Sequence, residues 1–299
     1  MKTTEFIWLN GQWQAWDQAK IHVLSHTLHY GAGVFEGIRC YKTSKGTAIF
    51  RLNDHLKRLF YSAKVIDLKI PYSLDELSQT TKETVRKNKL EQGYIRPLAF
   101  FGYGKMGLNP IGAPVETLIS CWPWEKYLAE EAVKAKISPY IRLHPKSVIS
   151  DAKVCGHYVN SILASLDAKK TGYHEAILLD YQGNVAEGPG ENIFLIKNGI
   201  IKTPPLGNIL NGITRDTIIT LARDLGYKVR EETITPKHLY AADEAFFTGT
   251  AAEIAPIASV DNQIFGNGQP GFITQKLKEI YMNVVFGRNN HYDHYLDFV

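Results

Sequence analysis

The sequence predicts an α+β protein of two domains, a small N-terminal domain over residues 1–125 and a larger one over residues 137–299. Three observations carry that expectation. The chain's 299 residues suit two domains or one large one, with ample length to bury a core. Strand-like and helical stretches are interspersed in both halves, and the dipeptides Asn10-Gly11 and Asn198-Gly199 mark tight hairpins, hence antiparallel pairing. Between the halves, residues 126–136 (KYLAEEAVKAK) are polar and read as a linker.

The elements follow in order. Residues 6–17 (FIWLNGQWQAWD) form a hairpin, because Asn10-Gly11 suits a type I′ turn between aromatic-rich strands. Residues 21–50 continue as strands and loops, and the Gly31, Gly33 and Gly37 cluster reads as close backbone packing. A helix spans 53–67, capped by Asn53 or Asp54, with Leu56, Leu59, Phe60, Ala63 and Ile66 at helical spacing and Arg58 off that stripe. A second helix spans 73–88, opened by a Ser73 and Glu76 capping box. YIRPLAFFGYG and ETLISCWPW are strands that complete a small α+β domain with an antiparallel sheet.

The second half begins with the strand KISPYIRL. Residues 157–171 form an amphipathic helix with Tyr158, Ile162, Leu163, Leu166 and Ala168 on its apolar side, ending at Lys169-Lys170 and Gly172. EAILLD, NVAEG and NIFLIKNGIIKT form a run of hairpins. Residues 214–225 form a helix capped by Thr214, and 235–242 a short one with Thr235 as cap and Pro236 in first position. AFFTGTAAEIAPIASV mixes strand with a loop of small residues, and residues 272–285 form the last helix.

Composition narrows the function classes. The chain is 44% hydrophobic and 21% charged, which suits a folded soluble protein, and its net charge of +4 is spread without a basic block. No nucleic-acid role is expected. No apolar run approaches a membrane span, and the N-terminus lacks a signal core. Cys40, Cys121 and Cys155 are far apart, so neither a disulfide framework nor a metal site is expected, and a cytoplasmic setting fits. His291 and His294 have ligand-like spacing without a third partner and read as surface residues.

Two stretches carry candidate chemistry. DAKVCGHYVNS offers Lys153 ahead of a helix, and VAEGPGEN offers Glu187 among glycines ahead of a strand. A lysine and a buried carboxylate are what pyridoxal 5'-phosphate needs, one to form a Schiff base and one to keep the pyridine nitrogen protonated. Two more stretches, NGITRD and TGTAAE, place small residues and threonines where backbone N–H groups could meet an anion, although each taken alone also reads as an ordinary cap or turn. Arg96, between Ile95 and Pro97 in an apolar strand, needs an anionic partner or a cleft; a structural salt bridge and a substrate clamp both satisfy that requirement.

Together the ordered motifs HYGAGVFEGIR, RLNDHLKRLFYSA, YIRPL, DAKVCGHYVNS, EGPGENIF, NGITRD and TGTAAEI resemble the class IV (fold type IV) pyridoxal-phosphate aminotransferases, and within them the bacterial branched-chain amino acid aminotransferases. The resemblance runs over nearly the whole chain. It implies a small sandwich-like domain and a larger domain with a β-barrel-like core flanked by helices. It implies transfer of the amino group of L-leucine, L-isoleucine or L-valine to 2-oxoglutarate in a ping-pong reaction. Lys153 would be the Schiff-base lysine and the proton shuttle, Glu187 the partner of the pyridine nitrogen, and Tyr158 a partner of the ring's phenolic oxygen. Arg58, the backbone at Ile213 and Thr214, and Thr250 would hold the phosphate. Thr250 and Ala251, helped by Tyr94, would receive the substrate α-carboxylate. Phe35, Gly37, Trp124 and Tyr127 would shape an apolar pocket, and Arg96 would meet the distal carboxylate of glutamate. Tyr30 and Leu108 would reach in from a neighbouring subunit of a dimer or hexamer. His157, Pro189 and Lys105 depart from the commonest bacterial pattern. The competing expectations are a fold sibling (D-amino-acid aminotransferase or aminodeoxychorismate lyase), a non-catalytic cofactor-binding protein, and a plain structural protein.

Overall fold

The computed structural model describes residues 2–124 and 132–299, and it divides into two compact units. Each is built on one sheet.

The first unit opens with β1 (Phe6–Leu9) and β2 (Gln12–Ala15). Asn10 and Gly11 both have positive φ, 48° and 88°, as the two centres of a type I′ turn require. The stretch read as strands and loops also holds a short helix, α1 (His26–Tyr30). It escapes sequence patterning because five residues are too few to show a period. Gly31 ends it at φ 70°, and a Cβ there would come within 2.8 Å of the Gly156 backbone, so conformation and packing both demand glycine. Then come β3 (Gly33–Phe35), β4 (Ile38–Thr43), β5 (Gly46–Phe50), α2 (Leu52–Val65), α3 (Leu74–Lys87), β6 (Gly93–Phe101) and β7 (Val115–Trp122). Neither Asn53 nor Asp54 caps α2: the helix starts at Leu52 after a left-handed Arg51, and Asp54 instead accepts from Arg51 Nε at 2.6 Å. The Ser73 and Glu76 capping box of α3 is present. The strands pair antiparallel throughout, in the order β17-β5-β4-β6-β7-β1-β2 with β3 on β6, where β17 is Leu296–Phe298. Leu52, Leu56, Leu59, Leu77, Ile38 and Ile95 are fully buried in the core of this unit.

The second unit carries β8 (Val133–Ile137), α4 (Tyr158–Lys170), β9 (Glu175–Leu179), β10 (Val185–Glu187), β11 (Asn192–Lys197) and β12 (Ile200–Thr203). It continues with α5 (Ile213–Asp224), β13 (Val229–Glu231), α6 (Pro236–Tyr240), β14 (Glu244–Gly249), β15 (Glu253–Val260) and β16 (Gln263–Ile264). Helix α7 (Phe272–Val285) follows, and the chain then ends in β17, in the first unit's sheet. The second sheet is mixed, in the order β10-β9-β8-β15-β14-β11-β12-β13 with β16 on β15. Strand β8 pairs parallel with both β9 and β15.

Four expectations are corrected here. Residues 133–137 are a strand inside the second sheet and no part of a linker: Val133 and Ala135 are fully buried, a period-two pattern that the intervening lysines disguise. The stretch after Ile137 is not strand. Helix α4 buries Ala164 and Ala168 against β9, while Ile162, Leu163 and Leu166 are exposed, because only small side chains fit where helix and sheet come close. The cap of α5 is Gly212, and Thr214 lies inside the helix.

The division at residue 137 also differs from the contact pattern. Ala152–Gly156 and Asn283–Val299 group with the N-terminal residues, so Lys153 belongs to the first unit. Backbone hydrogen bonds explain why. Val154 bridges to Val34, Phe35 N–H donates to Lys153 O at 3.2 Å, and Gly156 N–H donates to Gly31 O at 3.0 Å. No helix among the described residues is long and apolar enough to cross a membrane.

Candidate active site

In the first unit the lysine is held by its backbone. Lys153 N–H donates to Ser62 Oγ on α2 at 2.9 Å, and its carbonyl is taken by Phe35. Its Nζ lies 4.8 Å from the centre of the Phe35 ring. The Arg96 guanidinium carbon lies 4.6 Å from the centre of the same ring. Strand periodicity places these groups together. Tyr94, Arg96 and Leu98 alternate onto one face of β6, and Phe35 stands opposite Leu98 in the register. Trp122 stands opposite Tyr94, and the Tyr94, Trp122 and Trp124 rings lie 4.7 to 5.6 Å apart. A Cβ on Gly37 would fall 1.9 Å from the Tyr94 hydroxyl, so glycine is what lets that ring close down.

Arg96 makes no salt bridge among the described residues. Its Nη2 donates to the Tyr94 hydroxyl at 3.4 Å, its Nε is buried without a partner, and no carboxylate pairs with it among the described residues. Three aromatic rings within 6 Å stand in for an anion. Cys155 registers the same cationic surroundings: burial pushes its thiol up to about 11, while Arg96 and Lys153 pull the other way.

Arg58 turns inward from α2. Its Nε and Nη2 grip the two oxygens of Glu36 at 2.7 and 2.9 Å, and His55 Nδ1 donates to Glu36 Oε2 at 2.7 Å. Glu36 is fully buried; burial raises its pKa, but Arg58 and then His55 overcome that and hold the carboxyl well below the usual range. Burial lowers the His55 pKa, against the pull of Glu36, which favours the neutral imidazole; a neutral ring bonded to a carboxylate through Nδ1 carries its proton there. Sequence reasoning missed Glu36 and His55. The available signal was a carboxylate standing among Val34, Phe35 and Ile38 in an apolar run.

In the second unit Glu187 ends β10 and is 4% exposed. Its Oε1 accepts from Arg142 Nε at 2.6 Å, and its Oε2 accepts from Asn192 Nδ2 at 3.0 Å and from Leu210 N–H at 3.2 Å. Asn192 also donates to Leu210 O at 2.9 Å. A Cβ on Gly212 would fall 1.9 Å from Asn192 Oδ1, so one asparagine ties the carboxylate to the start of α5. There Ile213 and Thr214 are buried in the first turn, behind a glycine that has no side chain to cap it. The positive end of a twelve-residue helix and its first N–H groups suit an anion. Thr248 stands opposite Asn192 across β11 and β14, so both side chains share a face; its Oγ1 is buried and has no hydrogen-bond partner among the described residues. Thr250 and Ala251, half-buried, make the turn from β14 to β15, and Tyr158 is the first residue of α4. Arg142, Asn192 and Thr248 were missed as well, although Arg142 between Ile141 and Leu143 repeats the signal that singled out Arg96.

The first unit thus gathers Lys153, Phe35, Gly37, Tyr94, Arg96 and Trp124, and sets Arg58 on Glu36. The second gathers Glu187 with the start of α5. Tyr30 and Leu108 are exposed, Leu108 by 89%. Tyr127 lies outside the described residues.

The family model described as Amino-transferase class IV matches residues 33–260. A branched-chain-amino-acid aminotransferase of Pseudomonas aeruginosa is 49% identical over 286 residues, 94% of this chain and 93% of that protein. A crystal structure of the T.th. branched-chain amino acid aminotransferase complexed with N-(5'-phosphopyridoxyl)-L-glutamate superposes with a TM-score of 0.97 at 43% identity, covering 100% of this chain and 99% of that one. The T.th. enzyme complexed with 4-methylvaleric acid gives a TM-score of 0.96 at 43% identity, with the same coverage.

Proposed function

The chain belongs to the class IV aminotransferases, and on that basis we propose that it moves the amino group of L-leucine, L-isoleucine or L-valine to 2-oxoglutarate with pyridoxal 5'-phosphate as cofactor. The activity is that of a branched-chain-amino-acid aminotransferase. The observation that carries the reading is the Phe35 ring with the Lys153 amine on one contact and the Arg96 guanidinium on another. An amine beside an apolar wall suits an aliphatic donor, and a guanidinium with no carboxylate partner among the described residues suits a dicarboxylate acceptor. The T.th. enzyme's two ligands, a glutamate conjugate and a branched aliphatic acid, support the same pair of substrates.

The residues fit the cofactor. Glu187 is a buried carboxylate oriented by neutral and charged donors, the start of α5 offers N–H groups to a phosphate, and Thr248 holds a hydroxyl in want of a partner. When bound, pyridoxal phosphate supplies an aldehyde that bonds amines and a ring that takes up the electrons of the Cα–H bond. Lys153 Nζ is the amine that would hold the cofactor's aldehyde carbon, and as a free amine it would move the proton to and from the substrate Cα. Glu187 keeps the ring nitrogen protonated, and Tyr158 hydrogen-bonds the phenolic oxygen. Arg58, steadied by Glu36, binds the phosphate together with Ile213, Thr214 and Thr250. Thr250 and Ala251 offer backbone N–H groups to the α-carboxylate, helped by Tyr94. Phe35, Gly37, Trp124 and Tyr127 wall the side-chain pocket, and Arg96 takes the distal carboxylate.

The donor gives up its amino group in one half-reaction, and 2-oxoglutarate receives it in the second. Tyr30 and Leu108, exposed on the first unit, reach into a neighbouring subunit's pocket in a homo-oligomer. The setting is the cytoplasm, in keeping with three free cysteines.

The test is an absorbance titration of the cofactor-loaded protein. L-leucine should abolish the visible band of the lysine-bound cofactor, 2-oxoglutarate should restore it, and D-amino donors should leave it in place. Lys153→Ala should lack the band and turnover. A band indifferent to L-leucine, or turnover retained without Lys153, would sink the assignment.

A further inference from the structure

Glu187 is buried, yet its task under the proposed function requires a negative charge. Burial alone favours the neutral carboxyl, and the Asn192 amide and Leu210 N–H orient the group without bringing charge. Arg142 brings it. Its Nε donates to Glu187 Oε1 at 2.6 Å, the short distance of a charge-assisted hydrogen bond, and both side chains are about nine-tenths buried. The guanidinium is held at its far end too: Nη2 donates to Ser150 O at 3.0 Å. Ser150 Oγ donates to Gly207 O at 3.1 Å, and the Arg142 backbone N–H donates to Leu179 O at 2.7 Å. This arginine is a fixed part of its unit, bonded to buried groups at both ends of its guanidinium.

A carboxylate that is to keep a proton on a pyridine nitrogen has two conflicting requirements. It must be ionised, or it offers the nitrogen no charge. It must also be a weaker base than the nitrogen, or it takes the proton itself. A buried carboxylate with only neutral donors meets the first requirement poorly and the second worse, because low polarity raises its basicity. A guanidinium bonded to one of its oxygens meets both: the carboxylate stays negative and becomes less basic.

We propose that Arg142 is a positioning residue that sets the basicity of Glu187, so that the proton shared between Glu187 and the cofactor's ring nitrogen resides on the nitrogen. The proposal rests on the functional reading above. Arg142 touches neither substrate nor cofactor in it; it acts through Glu187. The lever is specific to an arginine. A lysine would keep the charge but has no planar fork to join Glu187 and the Ser150 carbonyl together.

The experiment is a nitrogen-15 NMR measurement on the protein loaded with pyridoxal phosphate labelled at its ring nitrogen. The wild-type signal should lie at the protonated-pyridine position at neutral pH. In Arg142→Gln it should move towards the neutral-pyridine position, and in Arg142→Lys it should fall between the two. Signals of both variants at the wild-type position overturn the proposal. Should Arg142→Gln fail to fold, Arg142→Lys decides alone: an intermediate position supports the proposal, and the wild-type position overturns it. If the wild-type protein shows no lysine-bound absorbance band at all, the functional reading has failed, and that result is visible before any variant is made.

Discussion

At the scale of single residues, this protein places charges where apolar surroundings make them expensive, and then constrains them. Arg96 is the plainest case. Its Nε is buried without a partner among the described residues, while aromatic rings surround the guanidinium. Arg96→Leu should therefore raise KM for glutamate and 2-oxoglutarate by about tenfold or more, matching the roughly 1.4 kcal/mol or above that a charged hydrogen bond contributes, and alter leucine far less. Steady-state kinetics with both substrates checks this, and equal loss for the two would contradict the assigned role. Glu36 and His55 make a second prediction, in pH. The Glu36 pKa is lowered in the fold, so its share of stability is present above the unfolded value of about 4.3 and is lost as pH falls through the lower folded value. The His55 pKa is lowered too, so the unfolded chain binds that proton first, and stability declines as pH falls through about 6.5. Urea midpoints should drop as pH falls from about 7.5 to about 5.5, and His55→Gln should flatten that slope; an unchanged slope would show that His55 is not the titrating group.

Some elements are closed by neighbours in sequence and others by remote residues. The capping box of α3 is local and is legible directly from Ser73 and Glu76. The start of α7 is different. Glu244, on β14, accepts from Ile273 N–H at 3.1 Å, from Thr274 N–H at 2.8 Å and from Thr274 Oγ1 at 2.7 Å. Gly271 permits this, since a Cβ there would meet Glu244 Cδ at 2.0 Å. Glu244→Ala leaves two helix-end N–H groups without their acceptor and should destabilise the protein by about 1–2 kcal/mol in chemical denaturation. A loss no greater than that of an exposed glutamate, such as Glu279→Ala, would remove Glu244 from this role. The same contrast explains α5 and α4. Thr214 has the residue type of a cap, but Gly212 holds that position because Asn192 leaves no room for a side chain. The leucines and isoleucine of α4 have the look of its core face, but Ala164 and Ala168 are what β9 admits.

For the whole molecule, chain order and spatial grouping diverge. β17 pairs with β5, with Leu296 opposite Phe50 and Phe298 opposite Ala48, and Val299 N–H donates to Thr47 O at 3.0 Å. The last residues therefore cover what would be an open edge of the first unit's sheet. Removing residues 296–299 should uncover β5, lower the melting temperature and produce concentration-dependent light scattering, because an unpaired edge strand is a template for other chains. A truncated protein with unchanged melting and no scattering would show that β17 does not guard that edge.

The periodic elements, the tight turns, the capping box and the residue types of the candidate site are all legible in the chain itself. Lys153, Glu187, Arg58, Arg96 and the small-residue stretches at Thr214 and Thr250 stand out because type, order and local spacing carry them. What each charge faces is settled only on folding. That Lys153 groups with the N-terminal residues depends on backbone bonds from Val34, Phe35 and Gly31, which lie far earlier in the chain. That Arg58 meets Glu36, and Glu187 meets Arg142, depends on pairings across 22 and 45 residues. Local pattern reports which side chains a segment presents; burial and long-range pairing decide whether a charge is solvated, neutralised or held ready, and those are properties of the folded neighbourhood.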